Sequence, residues 1–314
     1  MLKKRTRVNS VSSNQEETKP IKKVRKSSKN GEDLKITKKA VDEEEIIIHA
    51  GEGQDDFKQL GINENIVNKL KEKTIVSLFE VQKKVFGPVA SGKNIICAAL
   101  TGSGKTLSFV LPLITMHKES FVHQKPVIMV MAPTRELSIQ VGREFSDLST
   151  EGFKFKTVMI YGGVSIEDQI YKLRAGCDII VGTPGRITDM IERGELVLKG
   201  IKSVVLDEAD KMLNMGFQEQ IEEIFGHIHQ ARRKTQVCLF SATIESWVKQ
   251  VANSIMINKH DDSENKVKDA EAVFIDLVKD YGGRTPKTVQ HLAVNTLKSD
   301  KVTTIADLSK KFSQ

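Results

Sequence analysis

Short apolar runs alternate with longer amphipathic segments through most of this chain. Six runs rich in Val, Ile, Leu and Met predict buried strands: Asn94–Leu100, Val127–Ala132, Lys156–Tyr161, Asp178–Gly182, Ser203–Asp207 and Gln236–Ser241. Four segments between them have helical spacing and predict helices: Glu136–Leu148, Ile166–Ala175, Ile187–Glu192 and Gln218–Ile228. Because nearly continuous apolar strands are buried on both faces, the pattern predicts an α/β fold with a parallel sheet and helices on both faces.

Weaker patterns lie on both sides of this region. A helix is predicted from Asn63, which is a suitable N-cap, through Leu70. Ala272–Leu277 predicts one further strand, and Val302–Leu308 predicts a helix. We therefore expect regular structure beyond the six strands in both directions.

Positive charge is concentrated in the N-terminal segment. The chain carries a formal net charge of +7, whereas residues 1–40 alone contain thirteen Lys and Arg and four acidic residues. Residues 1–45 have few apolar side chains and no periodicity, so we expect a disordered basic tail. Lys22–Lys26 has the composition of a nuclear-localisation or nucleic-acid-binding patch, and a merely solvated tail is the alternative. Lys and Arg follow Met1 without an apolar stretch, and no apolar run reaches membrane-spanning length, so neither a secretory signal nor a membrane span is expected.

The three cysteines, Cys97, Cys177 and Cys238, are far apart in the sequence. Each lies in an apolar run, their spacing fits no metal site, and their odd number argues against a disulfide framework. Buried free thiols in a reducing compartment are therefore predicted.

The run Ala99–Thr106 joins the first predicted strand to an apolar helix that begins near Lys105. Its glycines allow the backbone N–H groups to face phosphate oxygens, its lysine can meet the phosphate charge, and its threonine hydroxyl can bind Mg²⁺. A glycine-rich turn is the alternative, but the strand–loop–helix setting favours an anion at the helix N-terminus. The predicted nucleotide-binding residues of this loop are Thr101, Gly102, Ser103, Gly104, Lys105 and Thr106.

The acidic run Asp207–Asp210 follows the apolar strand Ser203–Leu206. Carboxylates at the carboxyl end of a parallel strand lie in the crevice where ligands bind. This run offers one carboxylate for a metal and another to activate water, although an acidic helix cap is the alternative. Together with the glycine-rich loop, it predicts hydrolysis of a nucleoside triphosphate.

Four more motifs follow successive predicted strands: Pro133–Leu137, Gly162-Gly163, Thr183–Arg186 and Ser241–Thr243. Over about residues 55–295, the order and places of these motifs resemble the first RecA-like domain of the DEAD-box RNA helicases. Phe79-x-Val81-Gln82, the continuation Leu107–Phe109 and the basic tail are most similar to the nucleolar Gu-type members. The resemblance implies a RecA-like P-loop NTPase domain that binds ATP and Mg²⁺ and couples hydrolysis to RNA binding and unwinding. It also implies a role in ribosome biogenesis, in the nucleus and its nucleolus.

For the base, the resemblance implies that the Gln82 amide reads the adenine edge and that Phe57 stacks on adenine. A core aromatic is the alternative for Phe57. Thr74 and Leu78 stand where Gly and Pro are common in the family, so the adenine motif departs from its usual pattern.

For catalysis, the resemblance implies that Lys105 and the loop amides hold the β- and γ-phosphates. Thr106 and Asp207 would hold Mg²⁺, the latter through water, and Glu208 would orient or deprotonate the attacking water. Lys105, Asp207 and Glu208 are therefore the predicted catalytic residues.

The resemblance also implies a coupling network in which a hydroxyl pair bonds the last acid, made of Asp210, Ser241 and Thr243. It implies an RNA face that contacts the backbone without reading bases, made of Arg135, Gly162, Gly163, Thr183, Gly185 and Arg186. A plain strand end is the alternative for the hydroxyl pair, and a structural salt bridge is the alternative for Arg186. Gln169 and Arg174 match a further family motif more loosely.

The expected organisation is a tail at 1–45, a domain at 46–296 and the truncated beginning of a linker or second domain at 297–314. A second RecA-like domain, which would be a partner of this one, is absent from the sequence, so the chain by itself is expected to hydrolyse little ATP. A non-catalytic RNA-binding or ribosome-assembly module that retains a nucleotide pocket is the alternative function. A DNA helicase or another P-loop ATPase fits the acidic and Ser-Ala-Thr motifs less well.

Overall fold

The structure is a computed structural model, and it describes residues 55–100, 102–231, 235–244, 246–256, 272–278, 294 and 296–312. Within these residues, seven parallel strands form a single sheet. The strands are β1 (Ile95–Ala98), β2 (Ile128–Met131), β3 (Thr157–Ile160), β4 (Ile179–Gly182), β5 (Ser203–Leu206), β6 (Gln236–Ser241) and β7 (Val273–Asp276). Their spatial order is β3-β4-β2-β5-β6-β1-β7. The predicted α/β class, the parallel sheet and all seven predicted strands are confirmed.

The helices within these residues are α1 (Asp55–Gln59), α2 (Glu64–Glu72), α3 (Glu80–Ala90), α4 (Lys105–His117), α5 (Arg135–Leu148), α6 (Ile166–Arg174), α7 (Pro184–Glu192), α8 (Ala209–Asn214), α9 (Gln218–Ala231), α10 (Ser246–Met256) and α11 (Lys301–Phe312). The predicted helices are present, and Asn63 caps α2 by accepting the Asn65 N–H at 2.9 Å. The sequence pattern did not predict α1, α3, α8 or α10. None of the described helices is both long and apolar enough to cross a membrane. The basic tail at 1–45 and Thr101 lie outside the described residues.

Two apolar clusters cover the two faces of the sheet. Side chains alternate along β1, so that Ile95 and Cys97 belong to one cluster and Ile96 to the other. Residues of α2 to α5 complete the first cluster, and residues of α7, α9 and α10 complete the second. Helices therefore cover both faces, as predicted, and leave the strand ends to form a site.

The three cysteines are free and buried, as predicted. Burial raises the pKa of Cys97 and of Cys177 to about 12, and burial also raises the pKa of Cys238. At neutral pH all three remain thiols and pack as small apolar side chains.

The turn that ends α2 holds a strained threonine. Thr74 has φ +61°. Its N–H donates to the Lys71 carbonyl at 2.9 Å, and the next N–H, of Ile75, donates to the Leu70 carbonyl at 2.8 Å. These two bonds form a Schellman motif, whose left-handed position favours glycine. A β-branched residue is strained there. Having threonine at position 74, where the family commonly has glycine, therefore introduces backbone strain.

Thr74→Gly is expected to raise the free energy of unfolding by about 1 kcal/mol, because glycine adopts positive φ without a steric cost. Urea denaturation of both proteins measures the difference. Thr74→Ala is the matched control, since alanine keeps the strain and is expected to give no stabilisation. Equal stability of the glycine and alanine variants would contradict this account of the turn.

Candidate functional site

The sequence motifs meet along one edge of the sheet, because all strands are parallel and each motif follows a carboxyl end. The glycine-rich loop follows β1, the acidic run follows β5, and Ser241–Thr243 ends β6, and these strands are neighbours. Arg135 follows β2, Gly162 follows β3 and Thr183 follows β4, and these strands are neighbours in the other half. The predicted nucleotide residues therefore share one half of the edge, and the predicted RNA residues share the other.

The loop after β1 turns sharply into α4. Gly102 and Gly104 have φ values of +78° and +85°, which L side chains rarely adopt. The Ser103 hydroxyl donates to the Leu100 carbonyl at 2.7 Å and closes the turn. The loop therefore leads directly to the N-terminus of α4, whose first N–H groups have no partner within the helix and suit an anion.

Lys105, the first residue of α4, is buried inside this turn, where its Nζ donates to the Ala99 carbonyl at 2.8 Å. Burial lowers the pKa of Lys105, and the nearby charges of Asp207, Glu208 and Asp210 oppose that effect. The glycine-rich loop and the acidic run thus form one electrostatic cluster, although they are far apart in the sequence.

Asp207 is buried just after β5, where its Oδ1 accepts the Glu208 N–H at 3.0 Å. Burial raises the pKa of this carboxyl to about 6, the charge of Lys105 works against the rise, and Glu208 adds to it. A buried carboxylate whose negative charge is only partly compensated is stabilised by a bound cation.

Thr106 and Asp207 carry the kinds of oxygen atom that Mg²⁺ binds. The Thr106 hydroxyl, half-buried in the first turn of α4, makes no hydrogen bond to any described residue. No group of three His, Cys, Asp or Glu side chains in the described segments could hold a metal by itself. Mg²⁺ at phosphate sites is usually bound by one or two carboxylates together with substrate phosphates and water, and Asp207 and Thr106 are donors of this kind.

Asp207→Asn is expected to stabilise the nucleotide-free domain more at pH 8 than at pH 5. The carboxyl has a pKa of about 6 when folded, against an ordinary 3.8, so stability is lost as the pH rises between these values. The cost of the ionised group reaches on the order of 3 kcal/mol above pH 7 and is about half that at pH 5. Asparagine removes this cost and can still accept the Glu208 N–H. Thermal unfolding at both pH values measures the effect, and an equal gain at the two would contradict the raised pKa.

Glu208 has a left-handed backbone, with φ 52° and ψ 49°, at the N-cap of α8. Its half-buried carboxylate pairs with Lys211, with Nζ to Oε2 at 2.9 Å. A left-handed conformation costs a non-glycine residue about 1–2 kcal/mol, and such strain persists mainly at functional sites. The backbone therefore fixes the direction in which this acid leaves the strand.

The hydroxyl pair after β6 has two different partners. Thr243 donates to Asp210 Oδ2 from its Oγ1 at 3.0 Å and from its backbone N–H at 3.2 Å. The Ser241 hydroxyl donates to the Thr243 carbonyl at 2.7 Å. The expected contact to the last acid is thus made by Thr243, and Ser241 acts on the loop that positions Thr243.

Gln82 joins α3 to the glycine-rich loop. Its Oε1 accepts the Phe79 N–H at 2.8 Å, and its Nε2 donates to the Gly104 carbonyl at 3.1 Å. One N–H and one lone pair of the amide remain unused, in a side chain that is 3% exposed. Phe57, expected to stack on that base, is only 2% exposed and packs in the first apolar cluster. Phe57 is therefore a core aromatic in this structure, which is the alternative role given for it above. Both faces of its ring are covered.

Arg135 lies at the first turn of α5 with its guanidinium 5.3 Å from the centre of the Tyr161 ring. Gly163 lies beside it, since a Cβ at that glycine would be 3.7 Å from Arg135 Nη1. The backbone of Tyr161 is held by Gln169, which accepts its N–H and donates to its carbonyl, both at 3.0 Å. Gly162 is exposed between them. The structure thus brings the first three predicted RNA residues into one exposed patch, positioned by Gln169 from behind.

The motif after β4 is divided between surface and interior. Thr183 and Gly185 begin α7, and Gly185 is exposed. The side chain of Arg186 is only 14% exposed, with its Nε 3.6 Å from Asp189 Oδ2, and its buried Nη1 has no hydrogen-bond partner among the described residues. The structural ion pair that was the alternative for Arg186 is therefore present. Arg174 is occupied in a two-bond ion pair with Glu195.

Three residues near the site were not singled out as site residues by the sequence. They are Tyr161 beneath Arg135, Lys211 beside Glu208, and Phe79, which is exposed against the glycine-rich loop. An aromatic directly before a glycine pair was a usable signal for Tyr161. The exposure of Phe79 depends on tertiary packing and left no signal in the pattern.

A family model described as DEAD/DEAH box helicase matches residues 79–251 of this chain. The chain is 38% identical over 266 residues to the human protein "ATP-dependent RNA helicase DDX50", covering 82% of this chain and 34% of that protein. It is also 38% identical over 277 residues to "Nucleolar RNA helicase 2" of Rattus norvegicus, covering 86% of this chain and 33% of that protein. The chain thus spans about a third of the length of these curated relatives.

A solved structure has the same architecture. It is the crystal structure of a DEAD box protein from the hyperthermophile Methanococcus jannaschii, which matches with a TM-score of 0.61 and 33% identity over 81% of this chain and 63% of that chain. The RecA-like fold and the similarity to nucleolar relatives confirm the expected fold and subgroup resemblance. This chain belongs to the DEAD/DEAH box helicase family.

Proposed function

We propose that this chain is the ATP-binding half of an ATP-dependent RNA helicase. The observation that carries the proposal is the division of one sheet edge, with phosphate and acidic motifs after β1, β5 and β6 and RNA motifs after β2, β3 and β4. Two ligands of different chemistry can bind side by side on such an edge. Family membership supports the assignment of these ligands as ATP and RNA.

On the nucleotide half, the first turn of α4 binds the phosphates through its N–H groups and Lys105. Thr106 and Asp207 would hold Mg²⁺, which neutralises charge on the phosphates when it is bound. Glu208, fixed by its left-handed backbone, accepts a proton from, or orients, the attacking water. Deep burial of Lys105 and Asp207 strengthens each of these interactions because little water screens them.

Coupling between the halves passes through the centre of the edge. Asp210 follows β5, which is the neighbour of β2 in the RNA half, and accepts two hydrogen bonds from Thr243 after β6. A shift of the acidic run on phosphate release would therefore displace the neighbouring loops after β2 and β6. We infer that this pair links nucleotide state to RNA contact.

On the RNA half, Arg135 supplies charge and the exposed Gly162 and Gly163 allow close approach of a phosphate. These contacts position a strand without reading its sequence. We infer that Arg186 supports the N-terminus of α7 from inside through its 3.6 Å ion pair with Asp189, a carboxylate that Arg193 also bonds at 2.6 Å.

We further propose that hydrolysis requires a second RecA-like domain, as the resemblance to the DEAD-box RNA helicases implies. An arginine finger from such a domain is worth about 10³–10⁵ in rate. The test is the ATPase rate of this chain with single-stranded RNA, with and without the second domain of a nucleolar relative added in trans. We expect RNA-stimulated hydrolysis only with that domain and little stimulation by DNA of the same sequence. Absence of stimulation by either nucleic acid, with RNA affinity unchanged in Lys105→Ala, would instead support the non-catalytic RNA-binding module.

A nucleolar role in ribosome biogenesis is also proposed, from the names of the relatives and the basic composition of residues 1–45. A fluorescent fusion of the whole chain is expected to concentrate in the nucleolus of a eukaryotic cell. A fusion lacking residues 1–45 tests whether the basic segment is required. A uniformly cytoplasmic signal from the whole chain would contradict the proposal.

A further inference from the structure

Phe79 is a large aromatic side chain that is 62% exposed at the mouth of the nucleotide half. Its ring lies against the glycine-rich loop, since a Cβ built on Gly104 would be 2.7 Å from Cδ2 and 3.4 Å from Cε2 of the ring. One part of the ring is therefore covered by the loop, and most of it faces solvent.

The same small region of the loop also borders Gln82. The Cβ position on Gly104 lies 2.6 Å from Gln82 Nε2, and that Nε2 donates to the Gly104 carbonyl at 3.1 Å. The other end of the amide accepts the Phe79 N–H at 2.8 Å, so the backbone of Phe79 and the amide of Gln82 are tied together. Gln82 is itself only 3% exposed, and its Nε2 and Phe79 Cδ2 lie 2.6 and 2.7 Å from one point, so a base that reaches this amide comes beside the Phe79 ring.

The competing aromatic is not accessible. Phe57 is 2% exposed and is packed among apolar side chains of the first cluster. Exposing its ring to a base would require opening that cluster, whereas Phe79 requires only rotation of an exposed side chain.

We propose that Phe79, rather than Phe57, provides the aromatic surface on which the nucleotide base stacks. This rests on the proposed ATP-binding function and adds a residue to it. Stacking tolerates any base because every base has a π-face, so Phe79 contributes affinity, whereas the hydrogen-bonding edge of Gln82 contributes the choice of adenine. A side chain at Gly104 would meet both Phe79 and Gln82 and would be strained at the φ of +85°.

The test compares nucleotide binding by titration calorimetry for wild type, Phe79→Ala, Phe79→Leu, Phe79→Trp and Phe57→Leu, with Mg²⁺ and ADP, GDP or inorganic tripolyphosphate. We expect Phe79→Ala and Phe79→Leu to bind ADP about ten-fold more weakly and tripolyphosphate as wild type does. Phe79→Trp is expected to retain affinity for ADP, and Phe57→Leu, which keeps an apolar side chain in the core, is expected to stay within about two-fold of wild type. The ratio of ADP to GDP affinity is expected to be unchanged in Phe79→Ala.

Three results would overturn the inference: wild-type ADP affinity in Phe79→Ala, an equal loss for tripolyphosphate, or a ten-fold loss in Phe57→Leu with none in Phe79→Ala. Phe79→Leu keeps an apolar side chain on Gly104, so a loss in that variant separates stacking from damage to the loop. Failure of the proposed function is distinguishable, because the wild-type chain would then bind neither ADP nor tripolyphosphate.

Discussion

Lys105→Met is expected to weaken Mg²⁺-ATP affinity by about 100-fold or more. Lys105 is the buried cation at the start of α4, where the phosphate charge is expected. Removing one member of a buried charge pair generally costs 2–5 kcal/mol or more, which is the origin of that factor. Titration calorimetry with Mg²⁺ and ATP measures it directly.

The same substitution is expected to leave the ligand-free domain folded. Burial lowers the pKa of Lys105, so the charged ammonium is disfavoured in the folded state, and methionine is apolar with similar length. Lys199→Met, at an exposed lysine in a short helical turn, is the matched control and is expected to bind ATP normally. Near-wild-type ATP affinity in Lys105→Met would show that this loop does not bind the phosphates.

Glu208→Gln is expected to lower RNA-stimulated ATP hydrolysis by about 10³-fold while leaving nucleotide affinity within a few-fold. The change removes a proton acceptor and a charge but keeps the size of the side chain, and general-base catalysis typically contributes 10²–10⁴. The measurement is the single-turnover hydrolysis rate with RNA and a second RecA-like domain supplied in trans, beside ADP binding to the same variant.

Glu219→Gln provides the matched control for this second prediction, because Glu219 is exposed in the first turn of α9. It is expected to hydrolyse ATP as wild type does. A Glu208→Gln variant that retains more than about a tenth of the wild-type rate would show that this strained acid is not the group that activates water.

Much of the fold was predictable because burial in a parallel sheet leaves a strong pattern. Strands such as β2 and β4 are apolar at nearly every residue, and α5 carries a clear amphipathic repeat. The helix α3 was not predicted, since Pro88 lies inside it. The spatial order of the strands could not be predicted from the sequence pattern either, because that order is set by long-range packing.

The candidate site was predictable where a motif follows a strand, since the topology then brings the motifs to one edge. It was not predictable where tertiary packing decides exposure. Phe57 and Phe79 are both phenylalanines near the adenine motif, yet one is buried and the other faces solvent. The Ser241 hydroxyl likewise has a partner, the Thr243 carbonyl, that no spacing rule indicates. The pair of Arg186 with Asp189 is different, because residues three apart on a helix are expected to meet.

The central claim is that nucleotide and RNA bind to different halves of one sheet edge. Hydrogen exchange of the chain with saturating Mg²⁺-ADP, and separately with single-stranded RNA, tests this most directly. Our account predicts that ADP protects residues 102–106 and 207–210, and that RNA protects residues 135–137, 161–165 and 183–187. Protection of the same segments by both ligands, or of neither half by its own ligand, would contradict it.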